Sequence, residues 1–255
     1  MDLRKTFNDD VCNYDNARPN YPQELFEAVF DYISLSDTSS VLEIGIGTGQ
    51  ATLPFLQQNI NVTAVELGDR LAAYCKSKFA KYKNFSIIND DFLKTSFPEN
   101  SFHLVYSATA FHWIDEKQGF EKISKLLKSG GAVALFWNHP FVGREDDITN
   151  RASSAVYKKY RPAQKAIREF NPADTLRYVG LLEKYGFKDV ETKLFKRTRT
   201  LSTEEYLSLI NTYSDHCAQP EKIRREFERD MKNAVDSVGG KINIYDTIDL
   251  YLARK

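Results

Sequence analysis

The chain has 255 residues, enough for one α/β domain with a sizeable core, and its 42% hydrophobic and 13% aromatic content is that of a globular protein. Thirty-five basic residues balance thirty-five acidic ones, and a formal charge of zero without a long Lys/Arg run weighs against a nucleic-acid partner. No apolar run approaches the roughly 20 residues of a membrane span, and the charged opening MDLRKTFNDD lacks the apolar stretch of a secretory signal.

Cys12, Cys75 and Cys217 lie far apart with no CxxC pair, and His103, His112, His139 and His216 form no metal-binding spacing. The expectation is a cytoplasmic protein with reduced thiols and no metal, acting as a monomer or homodimer.

In chain order, residues 22–33 read as a helix, with Pro22 at the first position and apolar residues at helical spacing. The strand SVLEI follows, running into GIGTG, then a helix over 50–58. VTAVEL (62–67) is a second strand and 69–82 a second helix; FSII (85–88) and FHLVYSA (102–108) are further strands. Residues 116–128 form a helix that Ser129-Gly130-Gly131 is expected to cap, ahead of a fifth strand at 132–137. Strands alternating with helices of this length imply βαβ units and a mostly parallel sheet.

Beyond Asn138 the pattern loosens. Helices are expected at 144–169, 173–185, 203–212 and 220–236, and strands at 190–201 and 242–254. The expected whole is a single Rossmann-like α/β domain with a seven-stranded sheet whose last strand is antiparallel. An N-terminal cap (1–21) precedes a core of about 22–140, 173–200 and 240–255. A helical lid of about 144–170 and 203–238 is inserted after the fifth strand and covers the open strand ends, where such sheets bind ligands.

The most informative stretch is Val41-Leu42-Glu43-Ile44-Gly45-Ile46-Gly47-Thr48-Gly49. Glycines directly after a strand permit a sharp turn and let a ligand approach the backbone. A dinucleotide loop prefers Gly or Ala at the sixth position; Gln50 stands there and argues against NAD and FAD. Glu43 lies in an otherwise apolar strand, where an unpaired carboxylate would cost on the order of several kcal/mol, so a cofactor carrying an ammonium group is one suitable partner. Glu66 ends the second strand, where a carboxylate can accept both ribose hydroxyls of an adenosine cofactor. Its bland alternative is a solvated acid at a strand end.

VLEIGIGTG followed by Glu66 resembles the class I S-adenosylmethionine-dependent methyltransferase family. DDFLKTSFPENSF (90–102) is similar to that family's D-A-x-x-L-P-F-x-D-x-S-F segment. YSATAFHWID (106–115) and the opening Tyr14-Asp15-x-x-Arg18-Pro19-x-Tyr21-Pro22 resemble small-molecule members related to trans-aconitate methyltransferases. The likeness covers residues 10–140 well and beyond them only the order of elements.

The resemblance implies S-adenosylmethionine as cofactor and a small-molecule methyl acceptor. Glu43 would hold the methionyl amino end with Gly45 and Gly47 against the cofactor, Glu66 and Leu67 would bind the ribose, and Asp91 and Phe92 the adenine. Ser107 would offer its carbonyl to the ammonium. Tyr14 and Arg18 would fold over the cofactor, with Arg18 facing its carboxylate, or else would only cap the helix at 22–33. His112 and Trp113 are candidates for acceptor contact, His112 as base or hydrogen-bond partner, against a purely structural role; His103 is expected to be structural.

Superfamily members that methylate exocyclic or amide nitrogens often carry Asn-Pro-Pro-aromatic after the fourth strand, where this chain has Ser107-Ala108-Thr109-Ala110. Methylation of base or glutamine nitrogens is therefore not expected, and the favoured acceptor is a small molecule, with a carboxylate-bearing metabolite methylated on oxygen as the leading case. The alternatives are a quinone-like apolar ring methylated on carbon or oxygen, a non-catalytic S-adenosylmethionine-binding protein, and an NAD-dependent oxidoreductase. Arg144, Arg151, Lys158, Lys159 and Arg161 are either a solvated face or include an anchor for an acidic substrate, and Tyr157, Tyr160 and Tyr206 are candidate lid residues.

Overall fold

The computed structural model describes residues 11–161 and 168–255. The first ten residues of the expected N-terminal cap, and residues 162–167 of the helix expected over 144–169, lie outside the described residues.

In chain order the elements are α1 (Val11–Ala17), α2 (Gln23–Tyr32), β1 (Ser40–Ile44), α3 (Leu53–Gln57), β2 (Asn61–Glu66), α4 (Asp69–Lys78), β3 (Phe85–Asn89) and β4 (Phe102–Ala108). A short 3-10 turn at Phe111–Trp113 leads to α5 (Glu116–Leu126), β5 (Leu127–Phe141), α6 (Ile148–Tyr160) and, after a second 3-10 turn at Pro172–Thr175, α7 (Leu176–Lys184). The chain ends with β6 (Lys188–Ser202), α8 (Thr203–Ile210), α9 (Ser214–Cys217), α10 (Glu221–Asp236) and β7 (Lys241–Arg254).

The sheet has seven strands in the order β3-β2-β1-β4-β5-β7-β6. β1 pairs in parallel with β2 and β4, β2 with β3 and β4 with β5, and the last strands are antiparallel. The sequence direction across the sheet reverses between β1 and β4. In open α/β sheets the carboxyl ends at such a switch point form the ligand crevice.

The residues divide into two compact units. One holds Pro19–Asn138, Pro172–Phe195 and Ile248–Lys255, and the other Met1–Arg18, His139–Asn171 and Lys196–Thr247. In the first unit, one buried cluster joins α2 (Leu25, Val29), the loop and helix after β1 (Ile46, Phe55) and one face of the sheet (Val41, Leu104, Phe136, Leu250). A second cluster packs α5 (Phe120, Ile123) and α7 (Leu182) against the opposite face, through Leu42, Val105, Val133 and Tyr251. Burial of alternate strand residues on both faces explains why SVLEI and FHLVYSA are almost uniformly apolar. The other unit has its own core of Val156, Tyr206, Ile210, Phe227, Met231 and Ile244. No helix among the described residues is long and apolar enough to cross a membrane.

Ser129-Gly130-Gly131 does not cap a helix. α5 ends at Leu126 with an extended cap at Leu127, and the three residues lie inside β5. The β4–β5 register runs from Phe102↔Leu127 to Leu104↔Ala132, so the extra residues form a bulge, with Gly130 at φ +74°. Gly131 sits where a Cβ would come 3.0 Å from the His103 carbonyl. The glycines that read as a helix stop serve this irregular pairing instead. The helix expected over 50–58 is confined to Leu53–Gln57, because the glycine turn continues past Gly49; the segment 173–185 begins as a 3-10 turn, with helix only from Leu176.

Candidate active site

Four loops leave the carboxyl ends of β1 to β4 in the first unit, and they carry most of the residues singled out above. Gly45, Gly47 and Gly49 have φ of +71°, +60° and +85°, the region that glycine enters without a Cβ penalty. A Cβ on Gly45 would come 2.5 Å from the Ala110 Cβ, and one on Gly49 2.4 Å from the Phe79 ring. At these two positions the missing side chain makes room for the protein's own packing. Gly47 has another duty: its N–H donates to Glu66 Oε2 at 2.9 Å.

Glu66 closes β2 in a buried position. Its second oxygen, Oε1, accepts from the Gly68 N–H at 2.9 Å, so one carboxylate bridges the β1 and β2 loops. Burial pushes its carboxyl above the usual carboxylate range, against the opposing pull of the Gly68, Gly47 and Leu67 N–H groups. Each carboxylate oxygen can accept more than one hydrogen bond, so Glu66 keeps capacity for hydroxyl donors. The solvated-acid alternative does not describe a residue in this setting.

Glu43 is fully buried on β1. The Thr52 hydroxyl donates to its Oε2 at 2.7 Å and the Tyr106 hydroxyl to the same oxygen at 2.9 Å. Oε1 is buried with no hydrogen-bond partner among the described residues. Burial pushes the Glu43 carboxyl up to about 8, because two neutral donors on one oxygen compensate only part of the desolvation. Tyr106, itself buried and stacked on Phe55 at 4.5 Å, has its phenol raised well above the ordinary value. A buried carboxyl with one unpartnered oxygen is suited to a cationic group, which would favour its ionised form. That orphan oxygen is the structural observation by which these residues fit a cofactor bearing an ammonium.

After β3, the Asp91 Oδ1 accepts from the Leu93 N–H at 2.9 Å, which shapes the turn, and Phe92 is buried beneath it. The Lys122 ammonium donates to the carbonyls of Phe92 and Thr95 and lies 4.8 Å from the Phe92 ring centroid. Leu67 is half-buried at the β2 exit. Ser107 is buried on β4, and its hydroxyl donates to the Ile44 carbonyl at 2.9 Å, tying β4 to β1.

Past β4, Thr109 adopts φ +53°, its N–H donating to the Phe136 carbonyl at 2.8 Å and its hydroxyl 2.7 Å from that of Tyr21. The 3-10 turn then places Phe111 in the core and His112 at the surface. The Trp137 indole Nε1–H donates to His112 Nδ1 at 3.0 Å, and the Trp113 ring lies 5.0 Å from the imidazole. His103, by contrast, accepts from the Ser40 N–H through Nδ1 at 3.0 Å, a structural place at the start of its strand.

Tyr14 and Arg18 belong to the other unit. Tyr14 lies in α1, and Arg18 follows it. The Arg18 guanidinium donates to the Thr212 carbonyl at 2.8 Å and lies over the rings of Tyr14 and Tyr213, 5.0 and 4.8 Å from their centroids. Its Nε is buried without a hydrogen-bond partner among the described residues.

Of the basic residues expected on the inserted helices, four are engaged within this unit. Arg144 pairs with Glu169, Lys159 with Asp230 and Arg161 with Asp215, while Arg151 donates to the Glu145 carbonyl. Tyr157 and Tyr206 share a hydrogen bond of 2.8 Å, and Tyr160 donates to Asp230. One cationic cluster escaped the sequence reading. Arg197 and Arg199 both bind the fully buried Asp246 carboxylate, two positive charges on one negative.

Residues 41–131 match the family model described as a methyltransferase domain. An uncharacterized methyltransferase of Schizosaccharomyces pombe is 23% identical over 242 residues, covering 92% of this chain and 89% of its own. An rRNA adenine N-6-methyltransferase of Lysinibacillus sphaericus is 26% identical over 227 residues, covering 73% of this chain and 90% of its own. Among solved structures, Haemonchus contortus phosphoethanolamine N-methyltransferase 2, in complex with phosphomonomethylethanolamine and S-adenosylhomocysteine, superposes with a TM-score of 0.59 at 16% identity. That match covers 100% of this chain and 60% of the other.

Proposed function

We propose that this S-adenosylmethionine-dependent methyltransferase, whose residues 41–131 match the methyltransferase-domain model, acts on a small-molecule acceptor, with a carboxylate oxygen as the favoured methyl-accepting atom. The observation that carries this reading is the exit of β4. There Thr109, held by Phe136 and Tyr21, turns the chain so that His112 stands at the surface, in a segment reading Ser107-Ala108-Thr109-Ala110 and not Asn-Pro-Pro-aromatic.

Glu43 would meet the cofactor's ammonium through its unpartnered oxygen, with the Ser107 carbonyl as a second acceptor and Gly45 and Gly47 lining the approach. Glu66 and Leu67 would take the ribose, and Asp91 and Phe92 the adenine. The cofactor supplies an electrophilic methyl group on a sulfonium. The protein's part is orientation, which for well-positioned reactants is worth roughly 7–11 kcal/mol of barrier. A carboxylate acceptor needs no proton removed, so no general base is required. His112 and Trp113 would contact the acceptor. The further likeness to trans-aconitate methyltransferases belongs with this proposal and rests on the Tyr14-to-Pro22 and Tyr106-to-Asp115 segments.

A second reading, methylation of RNA, is favoured by the rRNA adenine N-6-methyltransferase among the relatives. The balanced charge and the residues after β4 speak against it. Incubation with methyl-labelled S-adenosylmethionine separates the two. We expect label in a base-labile methyl ester from a panel of small di- and tricarboxylic acids. Label in ribosomal RNA, with none in the acids, would overturn the small-molecule reading.

A further inference from the structure

The contact between Trp137 and His112 bears on what the imidazole can do. An indole nitrogen only donates, so the 3.0 Å hydrogen bond requires a lone pair on His112 Nδ1. A neutral imidazole with its lone pair on Nδ1 carries its proton on Nε2.

Trp137 is not a partner that turns aside easily. It is buried on β5, and its main-chain N–H donates to Asp249 Oδ1 at 3.0 Å. The Tyr251 hydroxyl donates to the other oxygen of the same buried carboxylate at 2.7 Å. The indole stacks on Tyr178 with centroids 4.3 Å apart and meets Tyr251 edge-on at 5.9 Å. The imidazole is held from its own side too. Phe111, the neighbouring residue of the 3-10 turn, is buried against Phe120 at 4.9 Å, and Gly119 leaves the space for that ring, since a Cβ there would come 3.0 Å from it.

We propose that Trp137 locks His112 in the neutral Nε2–H tautomer, so that His112 donates a hydrogen bond to an acceptor that arrives as an anion and takes no proton from it. This rests on the reading of His112 as an acceptor contact. To serve as a base through Nε2, the ring would have to carry its proton on Nδ1, where it would face the indole hydrogen across a 3.0 Å gap. Trp137 is thus a positioning residue, and the acceptors it admits are those whose nucleophilic oxygen is already deprotonated. The acceptor oxygen's lone pair forms the new carbon–oxygen bond, the electrons of the broken carbon–sulfur bond pass to sulfur, and no proton is released.

Long-range proton–nitrogen correlation spectra of the full-length protein near neutral pH test this directly, with His112→Gln identifying the His112 signals among the four histidines. We expect a protonated, pyrrole-type Nε2 and an unprotonated, pyridine-type Nδ1, with the indole hydrogen bond adding about fivefold to that preference, as one hydrogen bond of ordinary strength would give. Trp137→Phe should bring the second tautomer to a detectable share. A proton on Nδ1, a doubly protonated ring, or a folded Trp137→Phe variant with an unchanged tautomer ratio would overturn the proposal. If Trp137→Phe does not fold, Trp137→Leu, which also removes the indole donor, gives the same test with the same outcomes. A failed acceptor screen leaves these spectra untouched, so failure of the tautomer lock and failure of the small-molecule reading are distinguishable.

Discussion

Glu43→Gln is expected to remove a pH dependence of stability that the ligand-free wild-type protein shows between about pH 4.5 and 8. The folded carboxyl is pushed up to about 8 from an ordinary 4.5. A group raised in the folded state keeps its proton while the unfolded chain releases it. Its contribution is therefore fully present below about pH 4.5 and is lost as pH rises through 8, with a slope approaching roughly 1.4 kcal/mol per pH unit and a ceiling of roughly 4–5 kcal/mol. Glutamine keeps the shape, and its carbonyl can still accept from Thr52 and Tyr106, but it does not titrate. The difference in urea-unfolding free energy between wild type and variant, followed from about pH 5 to 9, should shift steadily in the variant's favour. A pH-independent difference would mean that Glu43 is ionised when buried. Saturating S-adenosylmethionine should reduce the wild-type slope, because a cation beside the carboxylate favours its charged form.

Glu66→Ala is expected to weaken S-adenosylmethionine binding at least tenfold, about 1.4 kcal/mol. Two losses combine. The carboxylate proposed to accept the ribose hydroxyls disappears, and the Gly47 and Gly68 N–H groups, each 2.9 Å from it, lose the acceptor that joins their loops. Glu66→Gln separates the two, since its carbonyl oxygen can serve one of those N–H groups without restoring the paired acceptor. Calorimetric titration reads the effect. Unchanged affinity in a folded Glu66→Ala protein would remove Glu66 from the cofactor site.

The alternation of strand and helix was legible because both faces of the sheet are covered. SVLEI and FHLVYSA are apolar runs of strand length, and the structure places their strands over the same residues, Ser40–Ile44 and Phe102–Ala108. Local signals misled where a tertiary demand overrode them. Ser129-Gly130-Gly131 has the composition of a helix stop but serves a bulge, because β5 carries extra residues against β4. At Gly45 a second demand, invisible in the local sequence, adds to the first: the space its Cβ would fill is taken by Ala110.

The candidate site divides in the same way. Glu43, Glu66 and the glycines stand out because an acid in an apolar strand and glycines after it are locally unusual. Their partners do not stand out. Thr52 reaches Glu43 only through the turn of the glycine loop after β1, Tyr106 only once β1 and β4 pair, and Trp137 meets His112 only across the exit of β4. Asp246, inside a strand of alternating residues, became visible as the partner of Arg197 and Arg199 only when β7 was found beside β6.

Calorimetric titration of the purified protein with S-adenosylmethionine, S-adenosylhomocysteine and NAD tests the central claim most directly. Micromolar binding of both adenosyl compounds, with no heat from NAD, is the predicted result. Binding of NAD in their place would contradict the assignment of Glu43, Glu66 and the glycine loop to a cofactor with an ammonium group.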